Sequence, residues 1–327
     1  MQRNTILYVT IDPFDQRTAA GDLRGHEPNL SRLRAAAAAW RSGVVVQDLW
    51  CAHLTEAALE EPSLLALFLS GSYTDWAEAF RQPVWAAELD RFCDLIRRTR
   101  VPILAVCGGH QLVAYAYGGW EAVGHMAPAG AEPVAIAEER DGVSRAPKPR
   151  VGEVGTFRYV REREDPLFAG LAAGPDDPLV FSQWHMDQVM PGAVRLPGTL
   201  PDTDNQVYRC GSICPEPGGW RDGQSAAEAA RHVLPGVSLL RPVGLAGARL
   251  IEDLTAGPKA ASRRHVAIDA ECSRVQALRY DAQPAGRILF STQFHPDLAG
   301  SDADGVPDHG IGLLHNFLDI AAHYWAS

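Results

Sequence analysis

The sequence predicts an α/β protein in three layers, with a mostly parallel central sheet between flanking helices. Through the first third of the chain, short apolar runs rich in β-branched residues alternate with helical patterns. These runs are apolar throughout, which is typical of strands whose two faces are both buried. Hydrophobic residues make up 46% of the 327 positions, enough for a sizeable core. We therefore expect a parallel sheet covered on both faces.

The predicted elements follow one another closely in the first third. Strands are expected at 6–10, 44–46, 64–69 and 102–106. A helix is expected to begin near Asn29, and a second covers 86–98, because apolar residues recur there at helical spacing. The last strand stops at Cys107, and another helix pattern starts almost at once.

The second half is less regular. Residues 131–153 are rich in proline, glycine and charge, and predict an exposed connection with a short strand. Further strands are expected at 154–160, 179–182, 274–280 and 288–293, and an amphipathic helix at 311–324. Residues 201–269 predict an insertion with a helical piece at 225–232. Because loops this long are usually functional, we expect the insertion to be either a lid or a partner surface. We treat residues 1–327 as a single domain that contains this insertion.

Composition and charge exclude several classes of function. Thirty basic and 40 acidic residues give a net charge of −10, which disfavours a nucleic-acid or anionic-membrane partner. No apolar run reaches the roughly 18 residues of a membrane span, and the start lacks a signal-peptide pattern. We expect a cytoplasmic protein whose six cysteines are free thiols.

The strongest local signal is the segment VPILAVCGGHQLVAYAYGG at 101–119. A buried strand ends at Cys107, two glycines follow, and a helix begins, which is the pattern of a nucleophile elbow. A thiol at a helix N-terminus has its thiolate favoured by the dipole. The alternative interpretation, a small apolar cysteine at a strand end, stays open for Cys107 taken alone.

A second segment, ILFSTQFHPD at 288–297, supplies a candidate base. An apolar strand ends by presenting His295, and Asp297 follows two positions later on the same side. A carboxylate in that position can orient an imidazole that acts as a general base. Together with the elbow, this pattern predicts a cysteine nucleophile activated by histidine.

These motifs resemble those of the class I (triad) glutamine amidotransferases. The family's Gly-x-Cys-x-Gly-x-Gln pattern corresponds to AVCGGHQ at 105–111, and Gln-Phe-His-Pro-Glu corresponds to QFHPD at 293–297. FLSGS at 68–72 resembles the Leu-Ser-Gly-Gly loop, and SQWHMD at 182–187 resembles the histidine-containing substrate loop. The likeness covers about 6–200 and 274–324, and it implies a flavodoxin-like fold.

The resemblance also implies roles for individual residues. Cys107 would attack the side-chain amide of glutamine, forming a γ-glutamyl thioester and releasing ammonia, and His295 would move the protons. The oxyanion hole would come from backbone N–H groups of Gly71, Ser72 and Gly108. Substrate binding would involve Gln111, Trp184, His185 and Met186.

The sequence departs from the family at several of these positions. Asp297 stands where glutamate is usual, so either the strand end lies closer or another acid orients His295; Asp302, Asp304 and Asp308 are the alternatives. Ala105 replaces a glycine, which adds only a methyl group. Ser72 and Met186 replace glycines of the substrate pocket, which bears on whether the substrate is glutamine itself.

Other candidate sites are weaker. Cys210 and Cys214 lack a second pair at zinc spacing, so loop thiols are favoured over metal ligands. His110 and His125 are expected to be core or rim histidines. With no phosphate-binding or dinucleotide motif, we expect no metal and no cofactor, and any ATP chemistry would belong to another polypeptide.

Three functions stay open. The favoured one is a glutaminase subunit that feeds ammonia to a separate synthetase or synthase. The second is a stand-alone hydrolase or transferase acting on γ-glutamyl amides or peptides through the same thioester. The third is a catalytically silent binding module, for which Asp297 leaves room.

Overall fold

A six-stranded sheet lies at the centre of the protein. The computed structural model describes residues 3–12, 25–72, 83–127, 131–145, 151–161, 165–172, 179–190, 240–242, 249–252, 264–267, 275–280, 288–298 and 309–327. The predicted helix at 225–232 and the thiols Cys210, Cys214 and Cys272 lie outside these ranges.

The described elements alternate as the sequence predicts. Strands are β1 (Thr5–Thr10), β2 (Val45–Trp50), β3 (Leu64–Leu69), β4 (Ile103–Val106), β5 (Val123–His125), β6 (Val134–Ala135), β7 (Val151–Arg161), β8 (Leu179–His185), β9 (Asp187–Val189), β10 (Leu240–Pro242), β11 (Arg249–Glu252), β12 (Arg264–Ala267), β13 (Ala277–Arg279) and β14 (Leu289–Thr292). Helices are α1 (Glu27–Trp40), α2 (Glu56–Leu59), α3 (Pro83–Arg98), α4 (Gly108–Gly118), α5 (Ile136–Arg140) and α6 (Gly310–Ala326).

The central sheet has the strand order β13-β14-β4-β3-β1-β2. All neighbouring strands in it are parallel except β13, which runs antiparallel to β14. The prediction of a mostly parallel sheet with flanking helices is confirmed. In such a sheet the carboxyl ends of the strands meet at one edge, where ligands usually bind.

The sheet separates two hydrophobic cores. Alternate strand residues, such as Leu67 and Leu69, face a core that contains Phe92 of α3. The residues between them, such as Phe68, face the core formed with α1 and α6. Period-two alternation within apolar strands thus covers both faces of the sheet and produces the three layers.

Two antiparallel sheets flank this centre. One contains β7 and β8 together with β10, β11 and β12, which fall within the predicted insertion at 201–269. The other joins β5, β6 and β9. The connection predicted at 131–153 contains β6, the helix α5 and the start of β7.

The predicted loop at 182–187 is mostly strand, which corrects the sequence interpretation. β8 continues through Gln183 and Trp184 to His185, and β9 begins at Asp187, so Met186 alone interrupts the strands. Pairing with β7 extends to Glu153 opposite His185. This tertiary pairing carries the strand through polar residues that have no strand pattern of their own.

Phe92→Ala is expected to destabilise the fold by about 3–5 kcal/mol, the usual cost of deleting a buried phenylalanine ring. Phe92 lies in the core beneath α3 and is almost fully buried. Urea unfolding followed by circular dichroism measures the change. Val143→Ala is the matched control, since Val143 is 77% exposed. Equal midpoints for the two variants would contradict the assignment of this core.

Candidate active site

Cys107 occupies a strained turn between β4 and α4. Its φ is +52°, and within the described ranges it is the one non-glycine residue with positive φ. The Cys107 N–H donates to Thr292 O at 2.7 Å, and its carbonyl accepts from Gln111 N at 3.0 Å. Strained conformations persist where the surroundings fix them, and they are common at active sites. The turn is thus held by β14 on one side and by α4 on the other.

The Cys107 side chain is buried at the N-terminus of α4. The first N–H groups of a helix lack intrahelical acceptors and favour nearby negative charge. The thiol donates to Trp184 O, with Sγ 3.5 Å from that oxygen. The N-terminus of α4 therefore suits a thiolate nucleophile at Cys107.

His295 follows β14 and faces this turn. Its backbone N–H donates to Ser182 O at 2.7 Å, and its Nδ1 lies 3.1 Å from Asp297 Oδ1. Burial disfavours the imidazolium, but the Cys107 thiolate and the Asp297 carboxylate outweigh burial and raise the pKa of His295 to about 10. The imidazolium of His295 is therefore favoured when Cys107 and Asp297 are both ionised.

Gly71 lies between the cysteine and the histidine. A Cβ at this position would lie 3.0 Å from His295 Cε1 and 3.6 Å from Cys107 Cβ. The absence of a side chain at Gly71 lets the loop after β3 approach both residues. Cys107, His295 and Gly71 thus lie together at the carboxyl edge of the sheet.

Asp297 is completely buried and accepts two hydrogen bonds. Its Oδ1 faces His295, and its Oδ2 accepts from Asn29 Nδ2 at 2.8 Å. A buried carboxylate needs such partners to offset its desolvation. Asp302, Asp304 and Asp308, the alternative acids, lie outside the described residues.

The residues predicted for the oxyanion hole lie together. A Cβ on Gly108 would lie only 2.5 Å from Ser72 N and 3.1 Å from Ser72 Cα, so the two backbones are in close contact. Gly108 is the first residue of α4. The segment after β3 and the start of α4 therefore present adjacent backbone to the space beside Cys107.

One known protein family matches just over half of this chain. The model of the class I glutamine amidotransferase family matches residues 41–207, which include Cys107 and the Gly71–Ser72 segment. The chain belongs to this family. Membership indicates glutamine amidotransferase chemistry in general.

Solved structures provide more distant likenesses. A glutamine amidotransferase from Thermotoga maritima is 11% identical, with 98% of this chain and 99% of that chain covered and a TM-score of 0.46. PurLQS from Thermotoga maritima is also 11% identical, with 98% of this chain and 99% of that chain covered and a TM-score of 0.48. The Trypanosoma brucei CTPS glutaminase domain with bound acivicin is 14% identical, with 98% of this chain and 94% of that chain covered and a TM-score of 0.43. No curated protein matches the chain.

The residues predicted to bind substrate in this amidotransferase differ in their surroundings. Gln111 is buried, and its Nε2 donates to Asp187 O at 2.6 Å. His185 is also buried, and its Nδ1 donates to the same oxygen at 2.9 Å. Met186 is half-buried, whereas Trp184 is 53% exposed. Gln111 and His185 therefore converge on one carbonyl, and Trp184 lies at the rim.

Both histidines expected in the core or rim are buried. His110 Nδ1 lies 2.7 Å from Ser291 Oγ, and burial lowers the pKa of His110 to about 3, so its ring is neutral. His125 lies between two carboxylates, with 2.7 Å from Nδ1 to Asp187 Oδ1 and 2.7 Å from Nε2 to Glu139 Oε2.

Sequence reasoning missed several residues of this site. Asn29 has no motif of its own, and its contact with Asp297 joins positions 268 residues apart. Asp12 follows an apolar strand, a position from which polar residues of parallel sheets often reach the site. Its Oδ1 accepts from Ser72 Oγ at 3.0 Å. His26 contacts the same carboxylate.

The described part of the chain has neither a membrane-spanning helix nor a metal-binding cluster. None of its helices is long and apolar enough to cross a membrane. Its histidine, cysteine and acidic side chains form no group of three or more that could hold a metal ion.

Proposed function

We propose that this amidotransferase hydrolyses the side-chain amide of glutamine and passes the ammonia to a separate synthetase or synthase. Cys107 is the nucleophile, His295 the general acid and base, and Asp297 the carboxylate that orients His295. The observation that carries the proposal is the strained Cys107 turn, which lies at a helix N-terminus and beside a histidine whose Nδ1 contacts Asp297.

The first half of the reaction acylates the enzyme. The Cys107 thiolate attacks the γ-carbonyl carbon, forming a C–S bond and an oxyanion. Backbone N–H groups around Gly71, Ser72 and Gly108 stabilise that oxyanion. When the tetrahedral intermediate collapses, the C–N bond breaks and the imidazolium of His295 donates its proton to the departing amine. Ammonia and a γ-glutamyl thioester result.

The second half releases glutamate. His295, now neutral, takes a proton from water, which attacks the thioester carbonyl. The C–S bond breaks, the thiolate leaves, and the proton stays on the imidazole. Glutamine and water are thereby converted into glutamate and ammonia, and the thiolate–imidazolium pair is restored.

Covalent labelling tests the proposal directly. A diazo-ketone analogue of glutamine is expected to add once to the wild-type protein and not to Cys107→Ala, as measured by intact mass. Within the described ranges the other thiols are Cys51 and Cys93, both buried, and burial raises the pKa of each. They are therefore expected to stay unlabelled.

Two results of the labelling experiment would contradict the proposal. An adduct that survives in Cys107→Ala would assign the reactive thiol elsewhere. A wild-type protein without adduct would overturn free glutamine as the substrate. Release of ammonia from glutamine, followed with and without Cys107, provides the matching activity measurement.

Trp184 favours a second candidate, a stand-alone γ-glutamyl amide or peptide hydrolase. Its indole is 53% exposed, while its carbonyl oxygen lies 3.5 Å from the Cys107 thiol. An exposed aromatic side chain whose backbone contacts the nucleophile can pack against a leaving group larger than ammonia. Faster turnover of γ-glutamyl peptides than of glutamine, without a partner protein, would favour this candidate.

A further inference from the structure

A buried polar network joins Ser72 to the beginning of α1. Asp12 lies at its centre: Oδ1 accepts from Ser72 Oγ at 3.0 Å, and Oδ2 lies 2.8 Å from His26 Nε2. The other ring nitrogen of His26, Nδ1, lies 3.2 Å from Tyr8 OH. Asp12 is completely buried and His26 is 1% exposed.

Burial makes this network rigid. A carboxylate in the protein interior is tolerated only when its oxygens are hydrogen-bonded or paired, and both oxygens of Asp12 are engaged. The backbone at Asp12 is also fixed, since Trp50 Nε1 donates to its carbonyl oxygen at 2.9 Å. The Asp12 carboxylate therefore offers Ser72 an anchor with little freedom to move.

The Ser72 end of the network lies against the reacting centre. The Ser72 backbone contacts Gly108 so closely that a Cβ there would lie 2.5 Å from Ser72 N. Its neighbour Gly71 packs against the His295 ring. Any movement of Ser72 would change both contacts. The Ser72 hydroxyl, which the usual glycine of the family would lack, connects this segment to Asp12.

We infer that Asp12, held by His26, is a positioning residue that fixes the Ser72 backbone for oxyanion stabilisation. The inference rests on the proposed function, because it concerns the same transition state. Asp12 and His26 do not contact the substrate; they act through the hydroxyl of Ser72. Serine at position 72 thus has a structural reason: its side chain supplies the connection to the buried carboxylate.

This role has a kinetic signature that a merely stabilising role would lack. Oxyanion donors act on the tetrahedral intermediate, so their displacement lowers kcat while KM changes little. Displacements near 1 Å at a reacting centre can cost about 100-fold. Alkylation of Cys107 by iodoacetamide forms no oxyanion, so its rate reports the thiolate independently of these donors.

The experiment compares Asp12→Asn, Ser72→Ala and the double variant in the full chain. We expect each single variant to lower kcat for glutamine hydrolysis about 10- to 100-fold, with KM and the iodoacetamide rate nearly unchanged. The double variant should be no slower than the slower single variant, because both changes cut one connection. Trp40→Phe is the control: it removes a hydrogen bond to Asp319 at the other end of α1.

The outcomes separate this inference from the proposed function. Multiplicative losses in the double variant, or unchanged kcat in Ser72→Ala, would overturn the inference while glutamine hydrolysis by the wild type stands. If Asp12→Asn fails to fold, Ser72→Ala still tests the inference. This variant deletes only a half-buried hydroxyl, so we expect it to fold. A wild-type protein that releases no ammonia from glutamine or γ-glutamyl peptides overturns the proposed function and this inference together.

Discussion

Asp297→Asn is expected to lower kcat for glutamine hydrolysis by about 10⁴-fold, as the equivalent change does in a serine hydrolase triad. An amide in place of the carboxylate removes the charge that stabilises the imidazolium of His295. It also allows an N–H group to face Nδ1 and favours the wrong tautomer. Steady-state release of ammonia measures the effect. Loss of less than tenfold would show that another acid orients His295.

The same variant is expected to change the pH dependence. The Cys107 thiolate and Asp297 raise the pKa of His295 to about 10 against the opposing effect of burial, so the imidazolium persists at mildly alkaline pH. Removing the Asp297 charge lowers that pKa, and the proton donor is then lost at lower pH. The alkaline limb of kcat/KM should move to lower pH in Asp297→Asn. An unchanged limb would contradict the assigned pair.

Asp297→Glu is the charge-preserving comparison. It restores the residue usual in the family, but the extra methylene must enter a completely buried site that Asn29 already fills, with Nδ2 2.8 Å from Oδ2. Overpacking of this kind displaces neighbours. We expect kcat to fall while the alkaline limb stays near its wild-type position, because the negative charge is kept.

The sequence predicts those parts of the protein that depend on local pattern. The apolar runs predicted the central sheet because both faces of each strand are buried. The segments around Cys107 and His295 carry local turn and strand-end patterns, and both residues lie beside Gly71 in the structure. By contrast, β8 extends through Gln183 and Trp184 only because β7 pairs with it.

The supporting residues could not be predicted in this way. Asn29 reaches Asp297 because the first turns of α1 lie beside the segment that follows β14, where Arg32 Nε also donates to Pro296 O. That relation arises from the tertiary fold rather than from either segment. His26 reaches Asp12 at the start of the same helix. Asn29 and His26 have no catalytic pattern among their own neighbours in the sequence. Asp297 and Ser72, which both depart from the family's usual residues, take part in these contacts or in the connected Asp12 contact.

Gly108→Ala is expected to lower kcat by about 10²–10³-fold, comparable to the loss of an oxyanion-hole donor. The new Cβ would lie 2.5 Å from Ser72 N and 2.7 Å from Ser72 Cβ. Both are too close for packed atoms, so the Ser72 backbone and the start of α4 must separate. Ammonia release measures kcat, and iodoacetamide alkylation tests whether Cys107 stays reactive.

Gly142→Ala is the matched control for this substitution. Gly142 has φ +72° and no atom within 4 Å of the added Cβ, so alanine there strains the backbone without displacing a neighbour. We expect its kcat to equal that of the wild type. If Gly108→Ala also retains wild-type kcat, the oxyanion cannot lie between Gly108 and Ser72. If it loses alkylation as well as kcat, the damage extends to the Cys107 turn, and the effect is not specific to the oxyanion donors.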